Sequence, residues 1–437
     1  MNNHRLLAGL VAAVSLSGGV CVMAQRVVTL EEIFATAEAQ SVQLRPGRSA
    51  VAEAERDISV ARSKRLPDIQ ASLQVSYIGD GFTTARDYSD FQRAPIPHFG
   101  EGLGLAVEQP LYTGGAITNG IRMAELKTTA ARYADEFQRD NIRFRLTGFY
   151  LDIYKYANLR RVVEGNLAAA EKVLREMEAK YSQGTALRND ITRYELLVSN
   201  LQLELTRIDN TLEIMNGNLV TTAGLPSGTR VLPDTTILQR SLPLEGMEWW
   251  QQEARVSSPA MGLARNEVEI SKTADRLVRS ERLPKIGLQA KWTIDAPILV
   301  EVPPINRNLS YWYVGLGVSY NLSSLFKTNK ALEKSKATML NASERLDSTR
   351  ETLDLSVREA HIRYMEAYQV LQTRQKSVEL AERNYNTTAT RYSADMALIT
   401  DMLDAANSRL DAEQQLVNAR IDIIYYYYKL LFISGKI

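Results

Sequence analysis

Few residues in this chain are placed to do chemistry. Asp401 and Asp404 lie three apart, which puts both carboxylates on one face of a helix. Repeated around a threefold axis, the pair makes two acidic rings one turn apart, and such rings favour cations and resist anions at a constriction. The plainer reading is that two acids at a helix start offset the helix dipole and stay solvated. Of the three histidines, His98 falls in an expected loop and His361 in the middle of a long helical stretch. Two isolated histidines make no metal site. No Ser/His/Asp ordering and no phosphate loop occurs. Gly79-Asp80-Gly81 and Gly100-Glu101-Gly102-Leu103-Gly104 fall in expected hairpin loops rather than between a strand and a helix, so a nucleotide-binding reading fails. Enzyme, cofactor and metal functions are therefore not expected.

The elements that carry these residues come in duplicate. Arg62-Ser63-Lys64-Arg65-Leu66-Pro67 returns as Arg279-Ser280-Glu281-Arg282-Leu283-Pro284, an offset of 217 residues. Tyr181-Ser182, Asp190 and Gly224 return as Tyr392-Ser393, Asp401 and Gly435, an offset of 211. A period this long is a duplicated structural half rather than a solenoid repeat. The slip between the offsets falls between Pro67 and about Val107, where an exposed loop tolerates a change of length.

The start of the chain reads as an export signal. His4 and Arg5 precede an apolar run from Leu6 to Val20, and Val22-Met23-Ala24 fits a cleavage site. Residues 1–24 are thus an expected signal peptide. Cys21 raises a lipoprotein reading, but Val20 stands where a small residue is wanted. Cleavage would remove the single cysteine, leaving no disulfide or thiol-based metal site. It would also remove Arg5, leaving Lys and Arg balanced against 51 Asp and Glu, so no basic excess points to nucleic acid.

Thr29 to about Lys64 reads as one helix ended by Pro67, and Gly246 to about Arg282 as its copy ended by Pro284. After each proline the period becomes two. Ile69, Ala71, Leu73, Val75 and Tyr77 alternate with polar residues, as do Ile286, Leu288, Ala290, Trp292 and Ile294. Each half therefore holds one hairpin, over 68–112 and 285–322. Ala116 to about Tyr181 and Leu325 to about Tyr392 then read as helical rods about 100 Å long. The turns Ser182-Gln183-Gly184-Thr185-Ala186 and Ser393-Ala394-Asp395-Met396-Ala397 lead into return helices. Residues 25–224 and 246–437 are the two halves, joined by a proline-broken linker over 225–245. No segment after the signal is apolar enough for a transmembrane helix. The basic cluster Arg62, Lys64, Arg65, Arg279 and Arg282 is expected to offset helix dipoles, with lipid phosphates as the sharper alternative. The run Tyr425 to Tyr428 faces all sides of a helix and is expected to pack between rods.

Four strands cannot close a barrel with an interior, and the chain supplies no covering helix layer. Closure by symmetry solves this: three copies give twelve strands, a number within the range of outer-membrane barrels. Trp292, Tyr311, Trp312 and Tyr313 would then supply part of an aromatic girdle. The ordered set of Arg-x-Leu-Pro before each first strand, Gln109-Pro110-Leu111-Tyr112-Thr113-Gly114-Gly115 after the first hairpin, Tyr-Ser-x-Gly at the first turn and Asp401-Met402-Leu403-Asp404-Ala405 after the second resembles the outer-membrane efflux protein family, the TolC-like channel-tunnels.

The resemblance implies a mainly α fold with a small β part: a trimer with a 12-stranded barrel in the outer membrane on a long α-helical barrel in the periplasm. It implies a passive exit duct for small molecules expelled by an inner-membrane pump, with a periplasmic adaptor docked on the rod tips at Gly184, Thr185, Asp395 and Met396. Type I protein secretion would use the same body. A rival of another class is a soluble periplasmic coiled-coil adaptor. By the same resemblance Asp401 and Asp404 line the periplasmic entrance. Asp190 and Tyr392 match a tip network that holds it closed, while Ala397 stands where that network's arginine would be.

Overall fold

A computed structural model describes residues 25–185, 187–234, 242–301, 304–394 and 396–437. The expected signal peptide, and Asp395 of the second turn, lie outside the described residues. The first part of the chain runs β1 (Gln25–Val28), α1 (Leu30–Gln40), α2 (Arg45–Ser63), β2 (Asp68–Tyr77), β3 (Gly81–Thr83), β4 (Gln92–Ala94), β5 (Phe99–Tyr112), α3 (Ala116–Ser182) and α4 (Arg188–Ala223). The second runs β6 (Arg230–Pro233), α5 (Met247–Ser257), α6 (Pro259–Ser280), β7 (Lys285–Ala296), β8 (Leu309–Ser319), α7 (Ser324–Ser393) and α8 (Ile399–Ser434).

The two rods α3 and α7 hold 67 and 70 residues, each about 100 Å long at 1.5 Å per residue. Both return helices hold 36 residues, so the tips of the two hairpins of helices end level. In the upper part the helices pack in the order α2, α3, α6, α7. The sheet repeats that order as β2, β5, β7, β8, antiparallel throughout. Each strand is thus the continuation of a neighbouring helix. In the lower part α4 packs on α3, α3 on α8 and α8 on α7.

Three apolar clusters hold this frame. One gathers Leu30, Ile33, Leu44, Leu146, Tyr150 and Leu219 at mid-height. Its counterpart in the second half gathers Trp250, Ala254, Val357, Tyr364 and Leu430. The third runs down the rods through Val163, Ala170, Met177, Ile191, Tyr194 and Met402. The four tyrosines 425–428 divide between the two mid-height clusters, as expected for packing between rods.

Four expectations are corrected. The helix expected over Thr29 to Lys64 is two helices, parted by the turn Val42–Leu44, and its copy is parted at Ser258. Pro46 and Pro259 sit in the first turn of α2 and α6, where proline is pre-set for a new start but cannot continue an old helix. The linker is not wholly irregular: β6 pairs in parallel with β1, tying the join between the halves to the first described residues. Gly100 to Gly104 lies in β5, not in a loop. The long first-hairpin loop carries its own small hairpin, β3 with β4.

The fourth correction concerns the sheet's faces. Pairing places Ile69, Val107, Ala290 and Val314 in one row, and Ala71, Leu105, Trp292 and Trp312 in the next. Over these two rows that face is apolar. The opposite face carries Gln70, Ala106, Lys291 and Tyr313, then Ser72, Gly104, Thr293 and Tyr311. Successive side chains of a strand point to opposite faces, so Tyr311 and Tyr313 cannot share a girdle with Trp292 and Trp312. The girdle reading narrows to the tryptophan pair. Among the described residues no helix layer covers the apolar face: Ile69, Leu73, Trp312, Val314 and Leu316 are all exposed. Among the described residues no helix is long and apolar enough to cross a membrane.

Candidate functional site

The site is built at the rod tips. The first turn closes on Gly184, whose φ of +77° is left-handed and suits glycine. Gly184 donates to the Tyr181 carbonyl at 2.9 Å, and both the amide and the hydroxyl of Thr185 donate to the Lys180 carbonyl at 3.0 Å. The last carbonyls of α3 are thereby satisfied, as a helix end requires. In the second turn Met396 donates to the Arg391 carbonyl at 2.8 Å. Met396, Leu187 and Leu398 are exposed. The two leucines stand in equivalent places, each capping the start of a return helix.

The two acidic candidates separate in role. Asp401 accepts the Leu398 amide at 3.0 Å, the contact by which an acid in the third helical position satisfies an orphan donor. Asp404 is exposed one turn on, with Met402 and Ala405 buried on the other face. Both carboxylates stay on the exposed face of α8. Asp190 holds the same position in α4 as Asp401 does in α8, and is half-buried. Ala397 is half-buried and leads into α8 without a charge.

Tyr392 finds a different cation: the Lys180 ammonium lies 5.3 Å from its ring centroid, within cation–π range. This contact joins the ends of α3 and α7. Higher in the rods the Arg409 guanidinium lies 3.9 Å from the Tyr385 ring centroid and donates to Asn166 Oδ1 at 2.6 Å. Asn166 in turn donates to Glu413 Oε2 at 2.8 Å. The cluster ties α3, α7 and α8 together beside Tyr194, whose hydroxyl is pushed up by burial. Sequence reasoning missed both contacts. Their only linear trace is a basic residue opposite a tyrosine on rods whose rotation the sequence leaves open.

The basic cluster below the sheet is largely spoken for by protein. Arg279 pairs with Asp275 at 2.6 Å, Arg62 approaches Glu125 at 3.6 Å, and Arg282 donates to the Leu325 carbonyl at 3.0 Å.

An open four-stranded sheet continued by paired helical rods is the protomer fold of the outer-membrane channel-tunnel class. The chain matches the outer membrane efflux protein family over residues 34–224 and 250–435, and it belongs to that family. It is 21% identical over 431 residues to the outer membrane efflux protein BepC of Brucella suis, covering 98% of this chain and 90% of that one. The pyoverdine export outer membrane protein OpmQ of Pseudomonas aeruginosa is likewise 21% identical, over 414 residues, with 90% and 82% covered. Among solved structures the outer-membrane channel OprN superposes with a TM-score of 0.78 at 16% identity, over 93% of this chain and 90% of that one. VceC of Vibrio cholerae gives 0.75 at 15% identity, over 93% and 96%. The protein is an outer-membrane efflux protein whose helical rods reach into the periplasm.

Proposed function

We propose that the chain is one third of a trimeric exit duct, conducting small molecules across the outer membrane and the periplasm for an inner-membrane pump. The observation that carries this reading is the bare sheet. Among the described residues its apolar face has no cover, and its edge strands β2 and β8 have no partner on their outer sides. Open edges and an exposed greasy face are liabilities in water. Three copies joined edge to edge remove both, with lipid against the apolar face and solvent inside. The rods, continuous with the strands, close into a tunnel by the same symmetry.

In this reading Asp401 and Asp404 form the acidic entrance, and the turns around Gly184, Thr185, Asp395 and Met396 receive a periplasmic adaptor. Purification in mild detergent, followed by mass measurement and planar-bilayer recording, tests it. A trimer that carries current is expected. A protein that stays soluble and monomeric without detergent would sink the reading. Capture of the native complex through this chain should bring down an adaptor and a pump.

A further inference from the structure

We propose that Tyr311 and Tyr313 form a cargo-contacting collar inside the barrel, a site for solutes that carry an aromatic ring. The proposal rests on the duct reading, because the collar exists only where three copies close. The side on which these rings lie is set within one protomer. On β5 the residues facing the same way as the tyrosines include Gly100, Gly102, Gly104 and Ala106, while the other face carries Phe99, Glu101, Leu103 and Leu105. Neighbouring side chains lean over those glycines. A Cβ on Gly100 would stand 2.5 Å from Ser76 Oγ, one on Gly104 2.8 Å from Ser72 Oγ, and one on Gly102 3.2 Å from Asp295 Oδ1.

Side chains crowd on the inner surface of a curved sheet, and strand glycines mark such bends and close approaches. On β5 the tyrosine face is the crowded one, as the inner face of a closed barrel is, while Gly315 on the edge strand β8 meets nothing within 4 Å. Tyr311 is opposite Thr293 and Tyr313 is opposite Lys291, both on β7. In one protomer, where β8 is an edge strand, each tyrosine is 46% exposed. That face also carries Leu309, opposite Asp295, and its other paired positions are small, polar or proline, so the two rings are its aromatic surface. A duct wall that sets a glycine-rich strand two places from a tyrosine strand in each protomer gives cargo both clearance and an aromatic rail. Tyrosine suits this use, because its ring offers a π face and its hydroxyl stays wet.

The test compares two blockers of equal charge and similar bulk, tetraphenylphosphonium and tetrabutylammonium, added on the barrel side of single channels in a planar bilayer. The native protein should be blocked about tenfold more tightly by the aromatic ion. Y311L/Y313L keeps side-chain bulk but removes the rings, and should lose that preference. Y311F/Y313F should keep it, and W312L, altered on the opposite face, should keep it too. If the double leucine variant does not assemble, the single variants Y311L and Y313L should each lose part of the preference. Equal block of the native protein by the two ions, or a preference that survives loss of both rings, overturns the collar. A native protein that carries no current overturns the duct reading itself, and the collar falls with it.

Discussion

Tyr150 and His361 hold the same place in the two halves of the chain. The Tyr150 hydroxyl donates to the Val28 carbonyl at 3.0 Å, and Nε2 of His361 lies 3.2 Å from the Glu245 carbonyl. A carbonyl only accepts, so His361 carries its proton on Nε2. Val28 and Glu245 each stand two residues before a strap helix, α1 and α5. Both rods are thus pinned to the start of a strap by a side-chain donor. The donors differ because their surroundings do. Tyr150 is 1% exposed in its cluster, whereas His361 is half-buried and the second half adds Tyr364, whose hydroxyl donates to the Pro243 carbonyl at 3.0 Å.

Replacing Tyr150 by Phe removes the bond to Val28 and leaves the Asp234 amide, which donates to the Tyr150 oxygen at 2.7 Å, without its acceptor. A loss of about 1–3 kcal/mol is expected in denaturant unfolding. The pH dependence has a definite sign. Burial pushes the Tyr150 hydroxyl up from its ordinary 10.0 to about 12. The folded protein therefore holds this proton more tightly than the unfolded chain, so stability is full below pH 10 and falls between pH 10 and 12. Y150F should flatten that alkaline decline. Part of the decline should remain, because burial moves Tyr194 and Tyr364 in the same direction.

Gly224 and Gly435 end the two return helices in the left-handed conformation, with φ of +74° and +69°. A Cβ on Gly224 would stand 2.8 Å from the Gln40 carbonyl oxygen, and one on Gly435 would stand 2.6 Å from that of Ser257. Gln40 and Ser257 end the two strap helices α1 and α5. Alanine at either glycine must accept left-handed strain and push backbone from backbone, at a cost of about 2–4 kcal/mol. Thermal unfolding should register each substitution as a clear loss. G184A meets the same strain at φ +77° but open space, so only about 1–2 kcal/mol is expected there.

The duplication was legible because both halves keep the same markers in the same order. Strand positions were legible from alternation, and the rods from long proline-free stretches. The failures have physical causes. Tyr311, Trp312 and Tyr313 read as one aromatic group only if the period of two is ignored, and the pairing restores it. The breaks at Ser41 and Ser258 were hidden because Pro46 and Pro259 follow them in first turns, where proline starts helices as readily as it stops them. β1 with β6 is a contact between residues about two hundred apart, which no local pattern announces. Lys180 on Tyr392 and Arg409 on Tyr385 depend on how the rods rotate about one another, and apolar residues rather than charges fix that rotation.

Arg409 joins a polar cluster between the halves with Asn166, Glu413 and Tyr385. R409M would keep the stem's packing but leave Asn166 Oδ1 and Glu413 without their cation. Asn166 is 7% exposed, so little solvent can replace the lost donor. The expected cost is about 1–3 kcal/mol. R409M and N166L should not add: the double variant should fall short of the summed single losses by about 1 kcal/mol, because both remove one shared bond. A strictly additive cycle would show that the contact contributes nothing of its own. Glu413 lies 3.7 Å from Arg409 Nε, so E413Q tests the ionic part separately and should cost less than R409M.

Asp401 and Asp404 are equivalent in sequence logic but not in structure. Asp401 satisfies the Leu398 amide at the start of α8, so D401A should destabilise that helix by about 0.5–1 kcal/mol while also thinning the proposed acidic entrance. Asp404 is exposed and does no capping. D404N therefore isolates the proposed electrostatic role: stability should stay within about 0.5 kcal/mol of the native protein, while cation preference in planar-bilayer recordings should drop. Screening gives a second check. At low salt the Debye length spans the mouth of a narrow pore, and at about 1 M it shrinks to about 3 Å. The gap in selectivity between D404N and the native channel should accordingly be wide in dilute electrolyte and close as salt is raised. A gap that ignores salt would mean that Asp404 acts through the shape of the entrance rather than through its charge, and unchanged selectivity at every salt concentration would remove Asp404 from the entrance altogether.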